Sequence, residues 1–258
     1  MLSRKELQRY SRQVMLPQVG EEGQEKLASA RIMIVGLGGL GSPAALYLAA
    51  AGIGELHLVD GDQIDLSNLQ RQVLYKTNHQ GKSKSQVAAQ QLTAANPNVR
   101  IHAHFQMADE AWLRNHVGQV DLVLDCTDNL AIRHQINRIC CELERPVVMA
   151  SVQGFSGQLI SFDFSQGKSP CYACLFPPRE QEDIQNCSTV GVIGPILGIV
   201  GSAQALEAMK ILLGLPVSSL NQLYVIEGES LSMSALKLNK SEICPVCSQS
   251  ELTESCNK

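Results

Sequence analysis

The chain has 258 residues, the length of one large domain, or one domain with an appendage, at about 150 residues per domain. Hydrophobic residues make up 45% and charged residues 18%, which excludes a disordered chain, since disorder needs low hydrophobicity and high net charge. Twenty-one Lys and Arg against 25 Asp and Glu leave a net charge of −4, which lacks the basic excess expected of a nucleic-acid binder.

Residues 1–10 carry Arg4, Lys5, Glu6 and Arg9 with no apolar stretch behind them, so they do not read as a secretory signal. Arg9, Tyr10, Ser11 and Arg12 fit an amphipathic surface helix within an N-terminal helical segment, 1–30. Residues 31–35, Arg-Ile-Met-Ile-Val, form a short apolar run ending at glycines, which predicts a buried strand. Residues 40–51 are rich in Ala and Leu and stop at Gly52, which predicts a helix with a glycine stop. Strands are predicted at 55–60, 99–104, 121–125 and 147–151, and helices at 84–95 and 130–143. Strands alternating with helices of this length predict βαβ units in a parallel sheet.

The pattern changes after Ser151. Residues 154–164 predict an extended strand that turns the sheet mixed, and 223–226 with 231–238 predict a late antiparallel pair. Residues 177–185 are polar and punctuated, which predicts a mobile loop. The stretch 190–213 is apolar enough to require a membrane test, because a span needs about 20 apolar residues. Gln204, Glu207 and Lys210 interrupt it, so the expectation is a buried helix over 197–213, stopped by Gly214. The expected organisation is one domain, 1–258. It has a nucleotide-binding core at 31–152, a metal-bearing part at 153–247 and a polar tail at 248–258.

Gly36-Leu-Gly38-Gly39-Leu-Gly41 lies between a predicted strand and a predicted helix, and Asp60 follows 19 residues later at a strand end. Such glycines let the backbone approach phosphate, the helix N-terminus favours its charge, and the acid bonds a ribose. Alone, this pattern points to a nucleotide and most often to a nicotinamide dinucleotide. Asp65-Leu-Ser67-Asn68-Leu-Gln-Arg71 departs from that expectation. Asn68 and Arg71, spaced i, i+3, present an amide and a guanidinium together, a pair able to hold a triphosphate. An isolated turn of this kind is equally a solvated surface. Lys84 opens the next helix, where a lysine either reaches a phosphate or stays solvated. Asp125-Cys126-Thr127-Asp128-Asn129 ends the fourth strand, and ligands of open α/β sheets sit beyond such ends. Asp128 there either holds Mg²⁺, a hard cation that takes carboxylate oxygens, or caps the following helix.

Nine cysteines, an odd number in a long chain without a secretory signal, do not form a disulfide framework. Cys171/Cys174 and Cys244/Cys247 are two C-x-x-C pairs with 69 residues between them. Four thiolates make a closed tetrahedral zinc site, which is structural. A redox pair is the rival for either half. Cys187, after the polar loop, is a single cysteine that is reactive if exposed and otherwise inert.

The ordered set of Gly36 to Gly41, Asp60, Ser67 to Arg71, Asp125 to Asn129 and the two C-x-x-C pairs resembles the ThiF and MoeB family. These are ATP-dependent adenylyltransferases of small ubiquitin-like sulfur carriers. The resemblance runs from Tyr10 to Cys247. It implies a Rossmann-like, doubly wound α/β fold, mostly parallel, with an antiparallel C-terminal extension and a tetracysteine zinc knuckle. It implies that Gly36, Gly38, Gly39 and Gly41 cradle ATP, that Asp60 meets the ribose, and that Ser67, Asn68, Arg71 and Lys84 meet the phosphates. Asp128 would bind Mg²⁺ with Asn129 beside it. Arg12 would reach into a partner subunit's site, which implies a homodimer. Residues 41–48, 150–155 and 186–191 look closer to the ThiF branch, whose carrier is ThiS and whose product feeds thiazole synthesis for thiamine. The MoeB branch, acting on MoaD, is the alternative. In the ThiF branch Cys187 matches a loop cysteine of sulfur handover, with the sulfur supplied by a separate desulfurase or rhodanese-type protein. A dehydrogenase, or a non-catalytic zinc-bearing scaffold, are the readings from other classes. The expected location is cytoplasmic, with neither membrane nor nucleic acid as a partner.

Overall fold

The computed structural model describes residues 1–165, 169–178 and 191–248. Three helices lead in: α1 (Arg4–Arg9), α2 (Ser11–Val14) and α3 (Gly20–Ser29). Strand β1 (Arg31–Val35) is followed by α4 (Gly41–Ala51), β2 (Glu55–Val59), α5 (Lys84–Ala95) and β3 (Arg100–His104). The chain continues through α6 (Glu110–His116), β4 (Leu122–Asp125), α7 (Leu130–Glu142), β5 (Val147–Gln153) and β6 (Ser156–Phe162). It ends with α8 (Tyr172–Leu175), α9 (Gly194–Leu213), β7 (Gln222–Glu227) and β8 (Ser232–Lys237).

The strands make one sheet in the order β3-β2-β1-β4-β5-β6-β7-β8. The first five are parallel and the last three antiparallel. Strand order reverses at β1, which pairs with β2 on one side and β4 on the other. That reversal opens a crevice at the carboxyl ends of β1 and β4, the place where open α/β sheets take ligands.

Alternation along each strand sends side chains to two cores. Ile32, Ile34, Leu56, Leu58, Leu122, Leu124 and Val148 pack under α4, α5 and α9. Met33, Val35, Val59, Val123, Val147 and Met149 pack under α6 and α7. Helices on both faces explain why these strands read as continuous apolar runs.

Helix α9 is the apolar stretch that required the membrane test. It lies against the sheet, with Ile196, Val200, Ala205 and Ala208 in the core. Fully burying a side chain such as Ile or Val stabilises by about 1.5–3 kcal/mol. Its polar residues are built in. Gln204 Nε2 donates to the carbonyls of Asp125 (2.9 Å) and Val148 (3.3 Å). Glu207 accepts from the Ser219 amide (2.7 Å) and hydroxyl (2.6 Å). The helix begins at Gly194, three residues before the expected start, because Pro195 occupies its first turn. A proline is favoured there, since that N–H has no intrahelical partner anyway.

Candidate active site and metal centre

A cleft of about 1390 Å³ opens at the carboxyl ends of β1, β2 and β4. Gly36, Gly38, Gly39, Asp60, Asn68, Arg71, Lys84, Asp128 and Asn129 all line it. These residues come from five separate stretches of sequence, brought to one wall by the parallel strands.

The glycine loop is shaped by backbone crowding. Gly36 has φ +88°, and a Cβ there would lie 2.8 Å from the Cys126 carbonyl oxygen. A Cβ on Gly41 would lie 2.0 Å from the Gly36 carbonyl oxygen. Gly41 is therefore required for the close packing of α4 on the loop and is not among the cleft-lining residues. Asp60 ties the loop to the end of β2. Its Oδ2 accepts from the Leu37 N–H (2.7 Å) and its Oδ1 from the Asp62 N–H (2.8 Å). Burial pushes the Asp60 carboxyl up, against the pull of Lys84 and the two backbone donors.

A single 3₁₀ turn, Leu66–Asn68, follows. The Asp65 carboxylate accepts from the Ser67 amide (2.8 Å) and hydroxyl (2.6 Å), and Asn68 Oδ1 accepts from the Asp65 N–H (3.3 Å). Ser67 is thus exposed and turned to the cap, and it is not on the cleft wall. Asn68 keeps its amide N–H groups as donors. Arg71 donates to the Ser67 carbonyl (3.0 Å), which braces one guanidinium nitrogen. Lys84, buried at the start of α5, reaches the exposed Asp62 carboxylate at 2.8 Å. Two cations and an amide on one wall, beside a helix N-terminus, make a surface complementary to phosphate.

Asn129, and not Asp128, caps α7: its Oδ1 accepts from the Ile132 N–H at 3.1 Å. Asp128 is exposed, and no hydrogen bond or ion pair holds its carboxylate among the described residues. It is thereby left to the cleft, where an exposed carboxylate suits a hard cation such as Mg²⁺.

Two features that brace this wall have no sequence signal. Arg133 is buried on α7. Its Nε lies 3.3 Å from Asp125 Oδ2, and its Nη2 donates to the carbonyls of Thr127 (2.8 Å) and Ala150 (2.6 Å). Asp125 Oδ1 accepts from the Thr127 amide (3.0 Å) and hydroxyl (2.6 Å). The pair clamps the loop that presents Asp128. Tyr75 is the second feature, its hydroxyl donating to the Leu37 carbonyl (2.8 Å) in the glycine loop. Cys126 is buried, and burial pushes its thiol far above the usual range, so it is inert.

Arg12 is exposed on α2 and does not line the cleft of its own chain. Cys187 and the polar loop from residue 179 lie outside the described residues, as does the tail from residue 249.

The four sulfurs of Cys171, Cys174, Cys244 and Cys247 lie within 4.8 Å of one another. Cys171 and Cys244 are 3.6 Å apart, and Cys174 and Cys247 are 3.4 Å apart. Zinc–sulfur bonds of about 2.3 Å in a tetrahedron place sulfurs about 3.8 Å apart, so the cluster fits zinc. Hydrogen bonding from the Cys247 thiol beside it draws the Cys171 thiol below its ordinary value, against the opposing push of burial. The Ser241 N–H donates to Cys174 Sγ at 3.4 Å. Such an N–H orients a thiolate ligand and stabilises its charge.

Comparison with known proteins accords with this geometry. The ThiF family model matches residues 10–246. The sulfur carrier protein ThiS adenylyltransferase of Escherichia coli (strain K12) is 45% identical over 245 residues, covering 94% of this chain and 96% of that protein. The adenylyltransferase and sulfurtransferase MOCS3 of Mus musculus is 42% identical over 250 residues. The match covers 96% of this chain and 54% of MOCS3, so the chain spans about half the length of that relative. Among solved structures, E. coli MccB with ATP superposes with a TM-score of 0.79 at 25% identity, covering 93% of this chain and 73% of MccB. PaaA superposes with a TM-score of 0.78 at 25% identity, covering 93% of this chain and 76% of PaaA. With its glycine loop, its cation-lined cleft and a family match over nearly its whole length, the chain belongs to the ThiF family.

Proposed function

We propose that the chain is an ATP-dependent adenylyltransferase that activates the C-terminal Gly-Gly carboxylate of a ThiS-type sulfur carrier. A carboxylate oxygen attacks the α-phosphorus of ATP. The bond from that phosphorus to the bridging oxygen breaks, pyrophosphate departs with the electron pair, and a carrier acyl-adenylate remains. The observation that carries this reading is the gathering of Asn68, Arg71, Lys84 and Asp128 with the glycine loop on one cleft wall. A dinucleotide-dependent dehydrogenase has no use for that set beyond the glycines and Asp60.

Phosphoryl chemistry of this kind needs positioning and charge neutralisation more than covalent help. Gly38 and Gly39 admit the nucleotide, and Asp60 accepts from the ribose. Asn68, Arg71 and Lys84 donate to phosphate oxygens as negative charge shifts toward the leaving group. Asp128 would hold Mg²⁺, with Asn129 fixing the helix beside it. The ion supplies further charge neutralisation at the phosphates. Arg12, exposed and not among the residues lining its own cleft, is consistent with a homodimer in which it completes the neighbouring site. The tetracysteine zinc is structural, since four thiolates leave no open position. Cys187 is assigned to sulfur handover after adenylation, with sulfur from a desulfurase or rhodanese-type protein. On this reading the thiocarboxylated carrier feeds thiazole synthesis for thiamine in the cytoplasm.

The second reading, adenylation of a MoaD-type carrier, rests on the similarity to MOCS3. ATP–pyrophosphate exchange run with ThiS, with MoaD and with neither decides between them. Exchange that needs ThiS supports the proposal, and preference for MoaD favours the second reading. No exchange with either carrier, in folded and zinc-loaded protein, overturns both.

A further inference from the structure

The sheet carries a second cluster of metal-ligating groups, on β2 and β3, that contains no sulfur. His57 and His102 are register partners in the parallel β2–β3 pair. Glu55 stands two residues before His57 and so shares its face. Glu55 Oε1 lies 2.9 Å from His57 Nε2 and 3.1 Å from His102 Nε2, and the three donor atoms all fall within 4.8 Å of one another. We propose that Glu55, His57 and His102 form a second metal site, taking a divalent transition ion through one carboxylate oxygen and two imidazole nitrogens.

The two carboxylate-to-imidazole spacings are close to what such an ion requires, and the stacked His57 and His102 rings, with centroids 4.8 Å apart, would tilt to converge on it. Zinc–nitrogen and zinc–oxygen bonds of about 2.0–2.2 Å place tetrahedral ligands about 3.4 Å apart. The ligands sit on paired strands, so their spacing is set by the hydrogen-bond ladder and not by a loop. Two of the three ligands, Glu55 and His57, have the outer partner expected at a metal site. Arg100 donates to the other Glu55 oxygen, Oε2, at 2.8 Å from Nη2 and 3.3 Å from Nε. His57 Nδ1 lies 3.3 Å from His104 Nε2. An N–H on that His57 nitrogen leaves the Nε2 lone pair facing Glu55. Trp112 in turn packs edge-on against His104, with ring centroids 5.1 Å apart.

Three protein ligands leave positions open to water, and the His102 side chain is 47% exposed. The site is therefore exchangeable, unlike the closed tetracysteine centre. Its nitrogen and oxygen donors suit Zn²⁺, Co²⁺, Ni²⁺ or Cu²⁺ in preference to Mg²⁺ or Ca²⁺. An ion here would pin the edge strand β3 to β2, the strand that ends beside Asp60.

The test is a Co²⁺ titration of the full chain with zinc retained at the cysteines. The expected result is a further equivalent of Co²⁺ with weak visible absorption and no thiolate charge-transfer band. His57→Asn and His102→Gln each abolish that equivalent. His102 is half exposed, so its replacement leaves the fold intact even where the His57 variant does not fold. His104→Phe keeps the packing on Trp112 but removes the outer nitrogen, and should weaken uptake about tenfold to a hundredfold. Uptake of no further Co²⁺ by the unaltered chain, or its persistence in His102→Gln, overturns the site. The readout is metal binding alone, so it stands or falls independently of carrier adenylation.

Discussion

The two halves of the sheet are held by different means. From β3 to β5 the strands are parallel, and β1, β4 and β5 are buried or nearly so along most of their length under helices on both faces. From β6 to β8 the strands are antiparallel, and the last of them is exposed at every residue. The first half is stabilised by apolar burial on both faces, and the second is flanked by the four clustered cysteines. A sheet that serves as a platform for charged chemistry needs a stiff apolar base. In the late half burial fades from β6 to the exposed β8, and the cysteine cluster joins the segment after β6 to the segment after β8.

Zinc removal should break this comparison most severely. Structural zinc contributes on the order of 10 kcal/mol of folding free energy in small zinc peptides. One zinc per chain should survive dialysis, and stripping it with a chelator should raise amide exchange across β7 and β8 while β1 and β4 stay protected. Uniform exchange across both halves would contradict the division. Next in size is Arg133→Met. It leaves Asp125 as an unpaired buried charge and should cost about 3–5 kcal/mol in urea unfolding. That loss would fall on the parallel half.

Asp128→Ala sharpens the comparison from the other side. The side chain is exposed and caps nothing, so stability should be unchanged, while pyrophosphate exchange should fall about a hundredfold to a thousandfold. Loss of stability together with activity would mean that Asp128 is structural. The smallest effect is expected at Glu207, which joins α9 to the turn before β7. Burial pushes its carboxyl up, but Lys210 and the Ser219 donors outweigh this and hold it below its ordinary 4.5. A lowered folded value means the stability it lends is complete above pH 4.5 and lost as pH falls through the folded value. Urea midpoints should therefore drop more steeply below pH 4.5 in the unaltered chain than in Glu207→Gln.

The parallel half was legible because its signals are local. An apolar run such as Ile32 to Val35 and a glycine stop such as Gly52 each mark one element without help from the rest of the chain. Helix α6 carried no such mark, since Leu113 is its one buried residue. At the site, the glycines, Asp60 and Arg71 could be read from spacing. The choice of cap could not, because Asp128 and Asn129 are adjacent and both residue types cap helices. Arg133 was invisible for another reason. An arginine in a helix reads as surface, and only the tertiary approach of Asp125, Thr127 and Ala150 makes its burial tolerable. The Glu55, His57 and His102 cluster likewise needs the β2–β3 register, which no single segment reveals.

Helix α9 also bears on the order in which the chain is made. Strands β1 to β6 all precede it in sequence, so the sheet face that buries Ile196, Val200 and Ala208 has been synthesised before the helix emerges. Domains generally fold as units as the chain leaves the ribosome at about 5–20 residues per second. The strands that this twenty-residue apolar helix packs on are thus available to it when it emerges. A fragment beginning after β6 would present the same helix to chaperones and lipid with nothing to cover it.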